Sequence, residues 1–373
     1  MRAYVHRISA AAPNDTGGIE RAIADGRIHP DGIVAILGKT EGNGNVNDFT
    51  RGFATQSLTL MLEKHLDARA RDVCLVMSGG TEGGMAPHWT VFERRDEPGS
   101  GPALAIGRAH TEVVRPEQLG RMAQVEIVAA GVRAAMADAQ IADAADVHFV
   151  QIKCPLLTAQ RIAEAEARGQ AVSTRDTLKS MGLSRAASSL GVAIALGEIE
   201  PAALADAAIG TDTSLWSGRA SASAGIELMN HEIVVLGMSE AWGGPFAIDH
   251  AVMSDAIDVE PVRAALGRLG LNVAGQLSAD QRGRIAAVLA KAEASHDGSL
   301  RGHRHTMLDD SDISSTRHAR AFVCGALAGL IGHAEIYVSG GAEHQGPDGG
   351  GPVGIIVHKP DASGASAPSE GMA

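Results

Sequence analysis

Aromatic residues make up only 3% of the 373-residue chain. Its cores therefore have to be built from closely packed Ala, Val, Ile and Leu rather than from large rings. Cysteine is scarce as well: Cys74, Cys154 and Cys324 show no CxxC spacing, which excludes a disulfide framework and fits a reduced, cytoplasmic setting. Positive charge is in deficit, with Lys+Arg 32 against Asp+Glu 44 and a net charge of −12. A nucleic-acid partner would have to bind against that field, and none is expected. No apolar run approaches the roughly 18 residues of a membrane span. The opening MRAYVHRISAAAPNDTGG lacks the apolar core of a signal peptide, so neither membrane nor export is expected.

What is present is a globular composition, 45% hydrophobic and 20% charged, long enough for two or three modest domains. Glycine stands at 45 residues, well above the usual ~7% and without collagen periodicity. That predicts many tight turns and places where main chain approaches a ligand.

One pattern, Ser-[Gly/Ala]-Gly-x-Glu, occurs three times: Ser78 to Glu82, Ser223 to Glu227 and Ser339 to Glu343. Upstream of each lies an apolar segment running into a lysine, IVAILGK at Lys39, VHFVQIK at Lys153 and IAAVLAK at Lys291. Before those come stretches with helical apolar spacing, IERAIADGRI, VRAAMADAQI and VRAALGRLGL. Between lysine and serine an arginine opens an apolar helical stretch: Arg51, Arg185 and Arg320. Four elements in one order, three times, read as an old triplication with loop insertions.

The alternation of strand and helix makes each copy an α/β unit. The units are placed at residues 1–98, 104–241 and 248–358, with a Pro/Ser/Ala/Gly-rich disordered tail over 359–373. ALAIGRAH, EIVVLGM and GIIVHK supply further strands, and the boundaries fall in 97–102 and 239–249.

Lys, Arg and Ser placed alike in three units converge on one point if the units pack around a pseudo-threefold axis. A serine beside a lysine is a nucleophile–base arrangement, provided the lysine is neutral. Burial and nearby arginines both push its pKa down from about 10.4. The glycine after the serine lets backbone N–H groups meet a ligand oxygen, and three arginines suit a planar, electron-rich or anionic ligand. Taken singly these are ordinary features: a turn, a solvated lysine, a snorkelling arginine. Recurrence is what argues for a site.

Other motifs carry less. Gly38-Lys39-Thr40 ends like a phosphate-binding loop, but Gly32 is one residue too far away and IVAIL reads as strand. His303, His305, His318, His333 and His344 lack metal spacing and read as loop histidines. Glu293 with AEHQGPDGGGP offers an oxygen-rich cation site.

The strings GKTEGNGNVNDFTR, VMSGGTEGG, QIKCPLLT, SMGLSRAASSLG, SASAGIEL, KAEASHDGSLRGHRHTMLDDSDISSTRHARA and YVSGGAEHQGPDGGGP resemble the cyanuric acid hydrolase/barbiturase family from the N-terminus to about Val357. The resemblance implies three like α/β units around a pseudo-threefold axis with a single central active site, no organic cofactor, and a homotetramer. It implies that Arg51, Arg185 and Arg320 hold the substrate ring with Ser78-Gly79, Ser223-Ala224 and Ser339-Gly340. Ser223 would attack a ring carbonyl with Lys153 as general base, while the Lys39/Ser78 and Lys291/Ser339 pairs position and polarise the substrate. It further implies a structural divalent cation (magnesium or calcium) on Glu293 and oxygens of Ala342, Gln345, Gly346, Pro347 and Gly350.

The sequence by itself does not choose among the three Ser–Lys pairs. Within the resemblance, Ser184-Arg185-Ala186-Ala187, the SSTRHARA string at 314–321 and the retention of all three arginines imply cyanuric acid, opened to carboxybiuret and then biuret, over barbituric acid. The alternatives are a barbiturase, a non-catalytic protein binding a planar anion, and an assembly protein. Ala224, where the other copies have glycine, is the one visible departure at the expected nucleophile.

Overall fold

The computed structural model describes residues 1–99, 101–309 and 312–360. The part of the expected tail beyond residue 360 lies outside them. The chain begins with β1 (Arg2–Ser9), α1 (Gly17–Ala24), β2 (Ile33–Thr40), α2 (Phe49–Leu66), β3 (Cys74–Gly79) and β4 (His88–Arg95). It continues with β5 (Ala103–His110), α3 (Met122–Asp138), β6 (Val147–Pro155), α4 (Ala159–Ala167), α5 (Thr177–Ala195), β7 (Ala220–Gly225) and β8 (Glu232–Ser239). The last stretch holds β9 (Phe246–Met253), α6 (Glu260–Arg268), α7 (Ala279–Gly283) and β10 (Ile285–Ala292). After them come the short hairpin β11 (Ser299–Leu300) and β12 (His303–Arg304), α8 (Ser315–Ile331), β13 (Tyr337–Gly340) and β14 (Gly351–His358).

The strands form three four-stranded sheets, ordered β1-β4-β2-β3, β5-β8-β6-β7 and β9-β14-β10-β13. Each is therefore first–fourth–second–third in chain order. In each, the second and third strands run parallel and every other pairing is antiparallel. Even the irregularities coincide, with register shifts at Ile33/Ala35, Val147/Phe149 and Ile285/Ala287. The central strands β2 and β10 are buried along their whole length, which is why they read as unbroken apolar runs rather than alternating ones.

The helices lie against one face of these sheets, as α1 and α2 do over Ile36, Leu75, Met77 and Val91, and α6 and α8 over Val288, Val338 and Ile355. The opposite faces share one core: Leu37 and Val76 from the first sheet, Phe149 from the second, Leu289 and Tyr337 from the third. Burying this apolar surface, at about 25 cal/mol per Å² removed from water, joins the three sheets into one body. The linkers between the sheets meet at one place. Gly243 N donates to the carbonyl of Met1 (3.0 Å), and Lys359 N to that of Pro245 (2.7 Å).

Helix starts follow their caps. Asp48 accepts from Thr50 N at the head of α2 and Asp176 from Lys179 N at the head of α5, while Gly332 closes α8 at φ +92°. Two expectations need correction. Arg185 lies in the middle of α5, because Thr177–Ser184 continue the helix backwards to the Asp176 cap. The helix containing VRAAMADA begins ten residues earlier, at Met122. The long Lys153–Ser223 spacing is filled by α4 and the connection between α5 and β7. Among the described residues, no helix is long and apolar enough to cross a membrane.

Candidate active site

The three lysine–serine pairs are fixed by strand register. Lys39 faces Ser78, Lys153 faces Ser223 and Lys291 faces Ser339, each across a parallel pair. The serine strands β3, β7 and β13 all touch one another, so the three pairs meet. All six side chains are buried, none more than 5% exposed.

Each lysine also reaches the neighbouring sheet, where it donates to the carbonyl of the residue just before the next serine. Lys39 Nζ bonds Val338 O (2.8 Å), Lys153 Nζ bonds Met77 O (2.8 Å), and Lys291 Nζ bonds Ala222 O (2.9 Å). The arginines close a second ring in the opposite sense. Arg51 NH1 donates to Ala224 O (3.0 Å), Arg185 Nε to Glu343 (2.7 Å), and Arg320 Nε to Glu82 (2.9 Å).

A cavity lies where the rings meet. Its lining is Arg51, Ser78, Gly79, Arg185, Ser223, Ala224, Arg320, Ser339 and Gly340, joined by Gly44 and Met181. The structure thus brings together every residue expected to bind substrate. A larger cavity opens beside Glu293 and Asp348, away from Ser78, Ser223 and Ser339. The smaller one is the chemical candidate, because the recurring polar groups converge on it.

Burial lowers all three lysine pKa values. Lys39 is held well below its usual range by burial and by Arg320. Lys291 falls to about 7, through burial and Arg185. Lys153 is lowered by burial, with Glu227 opposing and Arg51 assisting. Burial thus favours the neutral amine at each of the three positions.

The hydrogen bonds differ between pairs. Lys39 and Lys291 each donate to their own serine at 3.2 Å. Lys153 makes no such bond among the described residues; its Nζ lies 2.6 Å from Glu227 Oε1 instead. Of the arginine nitrogens, buried Arg51 Nε has no partner among the described residues.

Glu82, Glu227 and Glu343 also take part, a role that sequence alone does not assign although each closes its recurring pattern. Among the histidines, His344 proves to be a buried pin rather than a loose loop residue: Nε2 accepts from Gly210 N (2.7 Å) and Nδ1 donates to Leu215 O (2.5 Å).

Around the expected cation site, donor atoms of Glu293, His296 and Asp348 lie within 4.8 Å of one another. Burial and Glu343 push the Glu293 carboxyl up to about 7, an environment a cation would relieve. The carbonyls of Ala342 and Pro347 each close a turn, accepting from Gln345 N and Gly350 N, while Gln345 Oε1 accepts from Ala222 N at 2.7 Å. The donor set, carboxylate and carbonyl oxygens, suits a hard divalent cation.

Residues 4–358 match the model of the amidohydrolase ring-opening protein family, and the chain belongs to that family. It is 65% identical over 357 residues to a cyanuric acid amidohydrolase of Azorhizobium caulinodans, covering 95% of this chain and 98% of that protein. It is 63% identical over 365 residues to one of Bradyrhizobium sp., covering 96% and 98%. The crystal structure of the cyanuric acid hydrolase of A. caulinodans superposes with a TM-score of 0.90 at 64% identity, covering 96% of this chain and 99% of that one. A second cyanuric acid hydrolase structure gives 0.91 at 50% identity, with the same coverage.

Proposed function

We propose that the protein hydrolyses cyanuric acid at a single central site on a pseudo-threefold axis, with Ser223 as nucleophile and Lys153 as general base. The observation that carries this reading is the convergence of three serines and three arginines, one of each per repeat, on one small polar cavity. The triazine ring presents a carbonyl to each sheet, which gives the triplicated lining a chemical purpose. The high identity to cyanuric acid amidohydrolases supports the same substrate.

In the reaction, neutral Lys153 takes the Ser223 proton as Oγ attacks a ring carbonyl. Arg51, Arg185 and Arg320, with the backbone at Gly79, Ala224 and Gly340, position the ring and carry the developing negative charge. The C–N bond breaks, and the Lys153 ammonium returns its proton to the departing nitrogen. Water then releases the acyl group from Ser223. Cyanuric acid and one water yield carboxybiuret, which loses CO₂ to leave biuret. Lys39/Ser78 and Lys291/Ser339 polarise the other two carbonyls. When bound, a magnesium or calcium ion neutralises buried Glu293; Glu293 and oxygens of Ala342, Gln345, Gly346, Pro347 and Gly350 would hold it, in a structural role.

Phe49, Phe53 and Leu60 stand exposed on one face of α2. That apolar stripe fits burial within the expected homotetramer.

The test is to incubate the purified protein separately with cyanuric and barbituric acids, following ring loss by ultraviolet absorbance and biuret by mass spectrometry. Biuret from the first alone is expected. Loss of barbiturate alone would move the assignment to a barbiturase, and two intact rings with retained binding would mean a binding protein.

A further inference from the structure

The three glutamates that close the recurring pattern do not behave alike. Glu82 receives Arg320 through two nitrogens, at 2.9 and 2.6 Å, and Arg317 at 3.1 Å. Glu343 receives Arg185 through two, at 2.7 and 2.5 Å. The same rotation would bring Arg51 to Glu227. Arg51 instead gives NH1 to Ala224 O and NH2 to Asn45 O, and Glu227 turns onto Lys153.

The cause lies one residue past the Ser-Gly or Ser-Ala step. Gly80 and Gly341 are left-handed, at φ +102° and +74°, whereas Gly225 is not among the residues of positive φ. It stays in β7, paired with Pro155. A side chain at Gly80 or Gly341 would strike the neighbouring arginine, at 2.3 Å from Arg320 NH2 or 2.6 Å from Arg185 Cζ. At Gly225 it would strike Glu227 itself, at 2.0 Å from Oε2. Identical glycines thus serve two purposes: two clear a path for an arginine, and the third lets a carboxylate fold back over its own strand.

We propose that Glu227 is the positioning residue that singles out the second Ser–Lys pair for chemistry. This rests on the hydrolase reading above. When Lys153 takes the Ser223 proton, a cation forms in a buried site, and Glu227 is the carboxylate that compensates it. Glu82 and Glu343 are already neutralised by arginines. Among the described residues no carboxylate forms an ion pair with Lys39 or Lys291, Glu293 acting on Lys291 only from beyond that range, and both lysines remain hydrogen-bond donors to their serines. The other charged or titratable groups facing this pair are Arg51 and Cys154 beside Lys153, Glu232 opposite it on β8, and Arg51 and Arg161 beside Glu227.

The experiment compares pH profiles of kcat for cyanuric acid ring opening in the wild type, Glu227→Gln, Glu227→Asp, Gly225→Ala, Glu82→Gln and Glu343→Gln. Removing an anion beside an amine favours its neutral form. Glu227→Gln should therefore shift the acid limb of kcat to lower pH, by about 1–3 units. It should also lower plateau kcat on the order of 10²-fold, the scale of one acid–base partner, with KM changed much less. Gly225→Ala, which displaces the carboxylate without removing it, should move the limb the same way, and Glu227→Asp should largely keep it. These two carry the test if Glu227→Gln does not fold. Glu82→Gln and Glu343→Gln should raise KM and leave the limb in place. Glu232 is common to all variants, so the difference between profiles reports Glu227. An unmoved limb in both Glu227→Gln and Gly225→Ala, or an equal shift in Glu82→Gln, overturns the proposal while leaving the hydrolase intact. A wild type that opens no ring overturns the hydrolase reading and this inference with it.

Discussion

Lys291 and Ala222 lie on different sheets, yet Lys291 Nζ donates to the Ala222 carbonyl while Gln345 Oε1 accepts from the Ala222 N–H. Both backbone groups of Ala222, the residue just before Ser223, are therefore held by the third repeat: its carbonyl by Lys291 on β10 and its N–H by Gln345 in the loop between β13 and β14. The position of the expected nucleophile depends on residues more than sixty positions away along the chain.

The three serines should not be equivalent. Ser223→Ala should reduce kcat on the order of 10⁵–10⁶-fold, as loss of a nucleophile does. Ser78→Ala and Ser339→Ala, losing a polarising group, should cost roughly 10²–10³-fold. Steady-state kinetics decide this, with calorimetric binding of cyanuric acid to Ser223→Ala expected to persist. Equal losses in all three would contradict a single reactive pair.

Arg320 and Glu82 form a buried ion pair, with side chains 3% and 11% exposed. Arg320→Met leaves the Glu82 carboxylate without its main partner and should destabilise by about 3–5 kcal/mol. Adding Glu82→Gln should recover much of that loss. Urea unfolding of the two single variants and the double variant measures the coupling, and additive losses would show that the pair is energetically idle.

Glu232 should make stability depend on pH. Burial pushes its carboxyl up to about 7, although it accepts from Leu75 N at 2.8 Å. A carboxyl whose folded pKa is raised stabilises the fold fully below its unfolded value, near 4.3. That contribution is lost as pH rises through the folded value. Thermal unfolding between pH 5 and 8 should show this decline in the wild type and a flatter curve in Glu232→Gln, which keeps an acceptor for Leu75. Parallel curves would remove Glu232 as the cause.

Gly79→Ala and Ala224→Gly should have very different costs. A Cβ at Gly79 would lie 1.7 Å from Asp48 Oδ2, the carboxylate that caps α2. Overpacking of that kind costs about 1–3 kcal/mol, and loss of the cap adds to it. Chemical denaturation should show Gly79→Ala clearly weakened and Ala224→Gly close to the wild type.

Much of the site could be read from sequence because register does so much of the assembly. A lysine near the end of one strand and a serine near the end of its parallel partner must face each other once the strands align, as Lys39 and Ser78 do. The arginines were legible by recurrence, but not their settings. Arg185 precedes an apolar stretch as if opening a helix, whereas SMGLS continues α5 backwards, and a helix start is set by a cap whose reach composition does not reveal. The glutamates were visible yet silent, since Glu82 meets Arg320 only after the first and third sheets pack. Least legible was the broken symmetry: Gly80, Gly225 and Gly341 are the same letter, and only φ tells them apart.

The meeting of the linkers has a consequence for how the molecule could be rewired. Met1 bonds Gly243 and Lys359 bonds Pro245, so the start of β1 and the end of β14 both sit against the connection between β8 and β9. Joining residue 359 to residue 1 through a few flexible residues, and opening the chain near Gly243 instead, would leave every strand pairing and every cross-sheet lysine bond in place. Such a circular permutant should fold to the same ring, because which sheet is synthesised first is immaterial to a structure that closes on itself.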